Sequence, residues 1–320
     1  MKKVLVTREV FDEVLAYLGE HFEVAGNQDD IPYDGATLKR KLAGRHGVVC
    51  CLTDRIDEDL LSACPQLEAV CNIAVGYNNI DIGACQRHNV IATNTPGVLD
   101  DSTADLAWAL ILASARRLTE AEAYLRNGDW RGWHLKQLLG IDVHHATLGI
   151  IGMGRIGQEI ARRAAGFKMR VIYHNRNRLA PELERACSAD FVSRDELLAS
   201  ADFVVLQVPY SAVTHHLIGQ AELARMKPSA VLINSTRGGV VDDAALIHAL
   251  ANGTIRAAGL DVFENEPNFN PEFLKLRNVV LVPHIGSSTE ATRMAMAMTA
   301  AKNLVAALTT GNPPNRINAP

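Results

Sequence analysis

Short aliphatic and β-branched runs alternate with stretches of helical spacing along nearly the whole chain. Residues 3–7 read as a strand, and Val10, Val14, Leu15 and Leu18 then fall at helical intervals. Three further runs, 47–52 (GVVCCL), 67–75 (LEAVCNIAV) and 90–94, predict strands in the N-terminal block. A long helical pattern covers 101 to about 118 (DSTADLAWALILASARRL), with Asp101 or Ser102 as its cap. Much of its surface is apolar, which predicts burial between layers. The alternation restarts at Ala146, with strands expected at 146–152, 170–175, 203–208, 230–235, 257–263 and 278–283. An amphipathic helix follows over about 288–308, and the tail GNPPNRINAP carries no helical signal. Strands that alternate with helices predict an α/β fold with doubly wound parallel sheet. The pattern places a six-strand block at 100–288 and a smaller α/β unit at 1–99, to which the segment 289–320 returns.

Composition narrows this picture. The 320 residues suffice for two domains, and 48% apolar with 21% charged residues excludes a disordered chain. A formal charge of -4 argues against general nucleic-acid binding, which needs a basic face. No apolar run approaches the roughly 20 residues that span a bilayer. The N-terminus lacks the apolar core of a signal peptide, because Thr7, Arg8 and Glu9 interrupt it. Six cysteines without Cys-x-x-Cys spacing then read as reduced thiols, and the cytoplasm is the expected compartment. No metal site is expected: His144–His145 and His215–His216 are adjacent pairs that chelate poorly from a strand. Trp130 and Trp133 read as packing residues.

The strand at 146–152 runs into Gly152-Met153-Gly154-Arg155-Ile156-Gly157 and then into a helical pattern. In that context G-x-G-x-x-G is a dinucleotide fingerprint: Gly152 for the turn, Gly154 for close approach of a pyrophosphate, Gly157 for helix packing. The N–H groups of a helix beginning at Arg155 and Ile156 favour the phosphates. An NAD site usually carries a carboxylate at the end of the next strand. Here that strand ends His174-Asn175-Arg176-Asn177-Arg178. Asn175 with Arg176, and Arg178 as a further cation, suits a 2′-phosphate, so NADP(H) is the expected cofactor and NAD(H) the alternative.

Three more motifs lie at expected strand ends: Asn234-Ser235-Thr236-Arg237-Gly238, Asp261-Val262-Phe263-Glu264-Asn265-Glu266-Pro267 and Pro283-His284-Ile285-Gly286-Ser287. Ligands of doubly wound sheets bind outside such ends. Arg237 offers a planar fork for a carboxylate, His284 can give or take a proton, and a glutamate can orient the imidazole. Glu266 and Glu264 compete for that last position.

Together GMGRIG, NSTRGGVVD, AAGLDVFENEP, VPHIGSS and the earlier VGYNNID resemble the D-isomer-specific 2-hydroxyacid dehydrogenase family over nearly the whole chain. The stretch GIDVHHATLGIIGMGRIG is most similar to its bacterial glyoxylate/hydroxypyruvate (2-ketogluconate) reductases. The resemblance implies a Rossmann-type NAD(P)-binding domain at 100–288 and a flavodoxin-like substrate-binding domain at 1–99 and 289–320. It implies Arg237, Glu266 and His284 as catalytic residues and Glu266 rather than Glu264 as the partner of His284. It implies Thr103, Val208, Pro209, Ser235, Thr236, Asp261 and Gly286 as cofactor contacts. Backbone N–H groups around Val75, Gly76 and Tyr77 are implied to hold the substrate carboxylate, beside Arg237 and His284. The implied reaction is NADPH-dependent reduction of a small 2-oxo acid by a homodimer. The segment after the long helix would form a dimer arm, with Trp133 reaching a neighbouring subunit's pocket. An NAD-dependent enzyme of another branch and a non-catalytic dinucleotide sensor are the competing readings.

Overall fold

The computed structural model describes residues 1–318. The chain divides into two compact units, Met1–Leu99 with the chain from Ser288 onward, and Asp100–Ser287.

The first unit is built on five parallel strands, β1 (Lys3–Val6), β2 (Glu23–Gly26), β3 (Gly47–Cys50), β4 (Ala69–Asn72) and β5 (Ile91–Thr93). Their order, β2-β1-β3-β4-β5, is that of flavodoxin-like folds. β3 and β4 are buried throughout, as central strands of a sheet covered on both faces must be. The helix Glu290–Thr309 packs on this sheet. The tail extends the β5 edge: Asn318 accepts from Ala92 N–H and donates to the Val90 carbonyl. The sequence pattern predicts four strands here and misses β2, a sheet-edge strand whose residues are at least partly exposed, so no apolar run marks it.

The second unit carries seven parallel strands: β6 (Thr147–Ile151), β7 (Arg170–His174), β8 (Ala189–Phe191), β9 (Phe203–Leu206), β10 (Val231–Asn234), β11 (Ala257–Leu260) and β12 (Val279–Leu281). The order β12-β11-β10-β9-β6-β7-β8 contains the doubly wound arrangement of Rossmann folds, with its switch point between β6 and β9. Six strands were expected. The seventh, β8, has three residues and an exposed Asp190, too short and too polar to show a period.

The helix Asp100–Ala115 starts one residue before the expected caps and ends before Leu118, because Arg117 turns left-handed at φ 54° and a second helix, Leu118–Arg126, follows. Its burial is as expected: Trp108 is 5% exposed, donates to the Ile160 carbonyl and stacks on Phe167 at 4.6 Å. Trp130 and Trp133 depart from expectation. They are 53% and 75% exposed, so neither is a core residue. The histidine pairs lie in turns rather than strands, and the His215 and His216 rings stack at 3.9 Å. No group of three His, Cys, Asp or Glu side chains among the described residues is placed to hold a metal ion. No helix among them is long and apolar enough to cross a membrane.

Candidate active site

The glycine-rich turn joins β6 to the helix Arg155–Ala164. Gly152 has φ +103°, and a Cβ there would stand 2.3 Å from the Gln207 carbonyl oxygen and 2.9 Å from Val208. A Cβ on Gly157 would stand 2.3 Å from the Gly152 carbonyl oxygen, whereas one on Gly154 would meet nothing within 4 Å. The turn is thus closed behind Gly152 and open at Gly154, the N-cap of a helix with no side chain capping its first N–H groups. Those amides around Arg155 and Ile156 are free for an anion. Val208 and Pro209 follow β9, the strand beside β6.

At the end of β7, Asn175 Oδ1 accepts from Met153 N–H at 2.7 Å and so ties this strand end to the glycine turn. No acid follows it. The two arginines differ. Arg178 pairs with Glu184, which also accepts from the Tyr173 hydroxyl. Arg176 is exposed and makes no ion pair among the described residues.

The three motif loops converge at the carboxyl ends of β10, β11 and β12. His284 Nδ1 and Glu266 Oε2 are 2.8 Å apart, with side chains 25% and 29% exposed. Glu266 Oε1 accepts from Phe263 N–H, which fixes the carboxylate. Glu264 is led elsewhere, to His216 Nε2 at 2.7 Å, so the geometry separates the two competing glutamates. A Cβ on Gly238 would stand 1.7 Å from the Phe263 carbonyl oxygen. Only glycine lets the loop carrying Arg237 lie against the loop carrying Glu266.

Burial pulls the Arg237 guanidinium below its ordinary pKa, against the opposing charges of Glu266 and Asp261. Burial alone would raise Glu266. Its bond to His284, the His284 charge, the Phe263 N–H and Arg237 overcome that and hold it below the usual carboxylate range.

His284 sits at φ 54°, a left-handed conformation that a non-glycine residue holds only when its surroundings impose it. Asp261 supplies that constraint. It is 1% exposed, and its two oxygens accept from Ile285 N–H at 2.6 Å and Gly286 N–H at 2.9 Å. Burial raises its pKa in spite of these bonds. Its observed contacts therefore hold the His284 turn, a task the sequence did not suggest. Ser235, 8% exposed, accepts from Gln207 Nε2 at 3.0 Å, and Thr236 donates to Asn234 Oδ1 at 2.8 Å. Thr103 is buried on the long helix, 3.6 Å from where a Gly286 Cβ would stand. A cavity of about 280 Å³ lies beside Glu266 and His284, with Phe263, Phe269, Leu281 and Val282 in its wall.

Val75 and Gly76 lie in the first unit, in the loop after β4, both half-buried, with Tyr77 next to them 41% exposed. Gln207 left no motif in the sequence, and the Asp261 motif gave no sign that its carboxylate clamps the His284 turn. Asn72 did leave a signal, as the one polar side chain within the apolar segment AVCNIAV.

Comparison with known proteins supplies context for this geometry. Residues 108–286 match the family described as D-isomer specific 2-hydroxyacid dehydrogenase, NAD binding domain. A glyoxylate reductase from Thermococcus onnurineus is 47% identical, across 99% of this chain and 96% of the relative. The crystal structure of a glyoxylate reductase from Paecilomyes thermophila superposes with a TM-score of 0.89 at 34% identity, covering 99% of this chain and 98% of that one. An NADPH-dependent glyoxylate/hydroxypyruvate reductase from Sinorhizobium meliloti, solved with NADP and malonate, gives 0.88 at 34% identity, covering 99% and 96%.

Proposed function

The chain belongs to the D-isomer specific 2-hydroxyacid dehydrogenase family, and on that footing we propose that it reduces small 2-oxo acids to D-2-hydroxy acids with NADPH. Glyoxylate, hydroxypyruvate and 2-ketogluconate are the substrates this reading selects. The observation that carries it is the 2.8 Å contact of His284 with Glu266, beside the half-buried Arg237.

The residues fit a nicotinamide dinucleotide: the space at Gly154 and the uncapped helix suit a pyrophosphate. Asn175, Thr103, Val208, Pro209, Ser235, Thr236, Asp261 and Gly286 complete the proposed cofactor contacts. When bound, that cofactor supplies the hydride to the keto carbon. Arg237 holds the carboxylate and keto oxygen of the substrate and offsets the negative charge that grows on that oxygen. His284 gives its proton to the forming alkoxide and recovers one from water. Glu266, kept ionised, fixes Nδ1 of His284 and leaves Nε2 for the substrate. Val75 and Gly76 offer backbone N–H groups to the carboxylate. The preference for NADPH is supported by the absence of a carboxylate after β7 and by the uncommitted Arg176.

Two further properties belong to the same reading. Leu118, Leu125, Trp130, Trp133, Leu135 and Leu139 expose apolar surface in one stretch of chain, which supports a homodimer formed through it. The six free cysteines support a cytoplasmic enzyme.

The test is product chirality. Purified protein with hydroxypyruvate and NADPH should yield D-glycerate, read by chiral chromatography. L-glycerate, or no reduction of any of the three acids, would overturn the reading.

A further inference from the structure

The loop after β4 is held by buried side chains in a way that determines which of its backbone groups are left for a ligand. The Ala74 carbonyl accepts from Thr95 N–H at 3.0 Å. The Val75 carbonyl accepts from Asn94 Nδ2 at 2.8 Å, and the Gly76 carbonyl from Asn72 Nδ2 at 3.0 Å. Asn72 is 0% exposed and Asn94 is 9% exposed, so both amide donors reach the loop from the protein interior. In a trans peptide the N–H points opposite to the C=O of the same unit. With three successive carbonyls held, the N–H groups of Val75, Gly76 and Tyr77 each point away from the donor that holds their peptide. None of the three donates to any group among the described residues.

The far end of the loop is anchored as well. Asn79 Nδ2 donates to the carbonyls of Cys51 and Asp54 at 3.1 and 3.0 Å, and Asn72 Nδ2 also donates to Asn79 Oδ1 at 3.2 Å. The Asn94 backbone is itself fixed, because its carbonyl accepts from the buried Asn303 at 3.0 Å. A chain of buried amides thus leads from the closing helix to the loop. Its cost is ordering several polar groups in a core, and its product is a row of three unclaimed N–H donors. Such a row suits an anion, since no donor must first break an internal bond.

We propose that Asn72 and Asn94 are positioning residues that aim the N–H groups of Val75, Gly76 and Tyr77 at the carboxylate of the 2-oxo acid. This rests on the function proposed above. The two asparagines touch no substrate; they act through the peptides whose carbonyls they hold.

The experiment compares the parent with Asn94→Leu, which keeps the branched shape of the side chain and removes the donor. Asn94→Ser, which keeps a short donor, is the second variant should the leucine form fail to fold. Each is assayed with glyoxylate and with its methyl ester, which has the reacting carbonyl but no anion, and each is followed by thermal unfolding. The expected result for Asn94→Leu is a KM for glyoxylate raised about tenfold, with kcat within about twofold and NADPH affinity unchanged. kcat/KM for the ester should match the parent, and Asn94→Ser should recover part of the lost affinity. An equal loss on acid and ester would mean that Asn94 serves the fold alone, and would overturn the proposal. So would a parental KM for glyoxylate in a stably folded Asn94→Leu. If the parent itself reduces neither substrate nor hydroxypyruvate, the proposed function fails first and takes the inference with it.

Discussion

The two units present their proposed substrate-handling groups by opposite means. In Asp100–Ser287 the groups are side chains, Arg237, Glu266 and His284, delivered by three adjacent strand ends and locked by backbone: Phe263 N–H on Glu266, and Ile285 and Gly286 N–H on Asp261. In the first unit the groups are backbone N–H donors, and side chains, Asn72 and Asn94, do the locking. The difference teaches where each unit tolerates change. A side-chain site is lost with one residue. A backbone site survives replacement of Val75 or Tyr77, because any residue but proline keeps the N–H, and it fails only when its internal supports are removed.

The largest expected effect is therefore in the second unit. His284→Ala should lower kcat by about 10²–10⁴, the usual contribution of a positioned acid, while NADPH binding measured by fluorescence titration stays near parental. Parental turnover in that variant would remove His284 from the acid role. Next comes cofactor choice. Arg176→Ala should weaken NADPH by about 10- to 100-fold, the scale of a charge-assisted bond, and leave NADH unchanged. Arg178→Ala should shift either affinity by less than about threefold, since Arg178 is already paired with Glu184. Equal loss of both cofactors in the Arg176 variant would show that it does not read the 2′-phosphate.

A subtler change is expected from Glu266→Gln. The amide preserves the shape of the contact with His284 but removes the negative charge that favours a protonated ring. The substitution should lower kcat for reduction by less than His284→Ala does, and a parental kcat would count against the pairing.

The smallest effect concerns Asp243, behind the Glu264 turn. Burial pushes its carboxyl up to about 6, although Glu264 N–H bonds to it. A carboxyl that binds its proton more tightly folded than unfolded gains stability as pH falls from above 6 toward 4, and costs stability above that window. Asp243→Asn should then raise Tm at pH 8 by roughly 2–4 °C, the equivalent of about 1 kcal/mol for a unit of this size, and by less at pH 5. An equal shift at both pH values would assign the gain to packing rather than to the charge.

The same contrast explains what the sequence reveals. The strands of the second unit were legible because burial on both faces leaves continuous apolar runs, as in FVVL and VLIN. β2 and β8 were not, being edge strands with exposed positions and no period to read. The fingerprint at 152–157 and the Arg, Glu and His motifs stand out because their chemistry is written in residue type. The choice between Glu264 and Glu266 needed coordinates, since it depends on which carboxylate faces His284 and which faces His216. Asn94 was less visible still, and Asn72 showed only as a polar residue in an apolar run. Their role follows from the direction of two amide bonds, and direction is absent from a list of residues. The exposure of Trp130 and Trp133 was hidden for a similar reason, because an aromatic residue reads alike in a core and on an exposed surface.

The most direct test is to mix the purified protein with glyoxylate and follow loss of absorbance of NADPH and NADH in parallel. Fast oxidation of NADPH with slow oxidation of NADH is the expected result and would support both the reduction of a 2-oxo acid and the reading of Arg176. Oxidation of NADH as fast as or faster than NADPH would contradict the cofactor assignment. Oxidation of neither cofactor with glyoxylate, hydroxypyruvate or 2-ketogluconate, in a protein that still binds the dinucleotide, would contradict the proposed reaction itself.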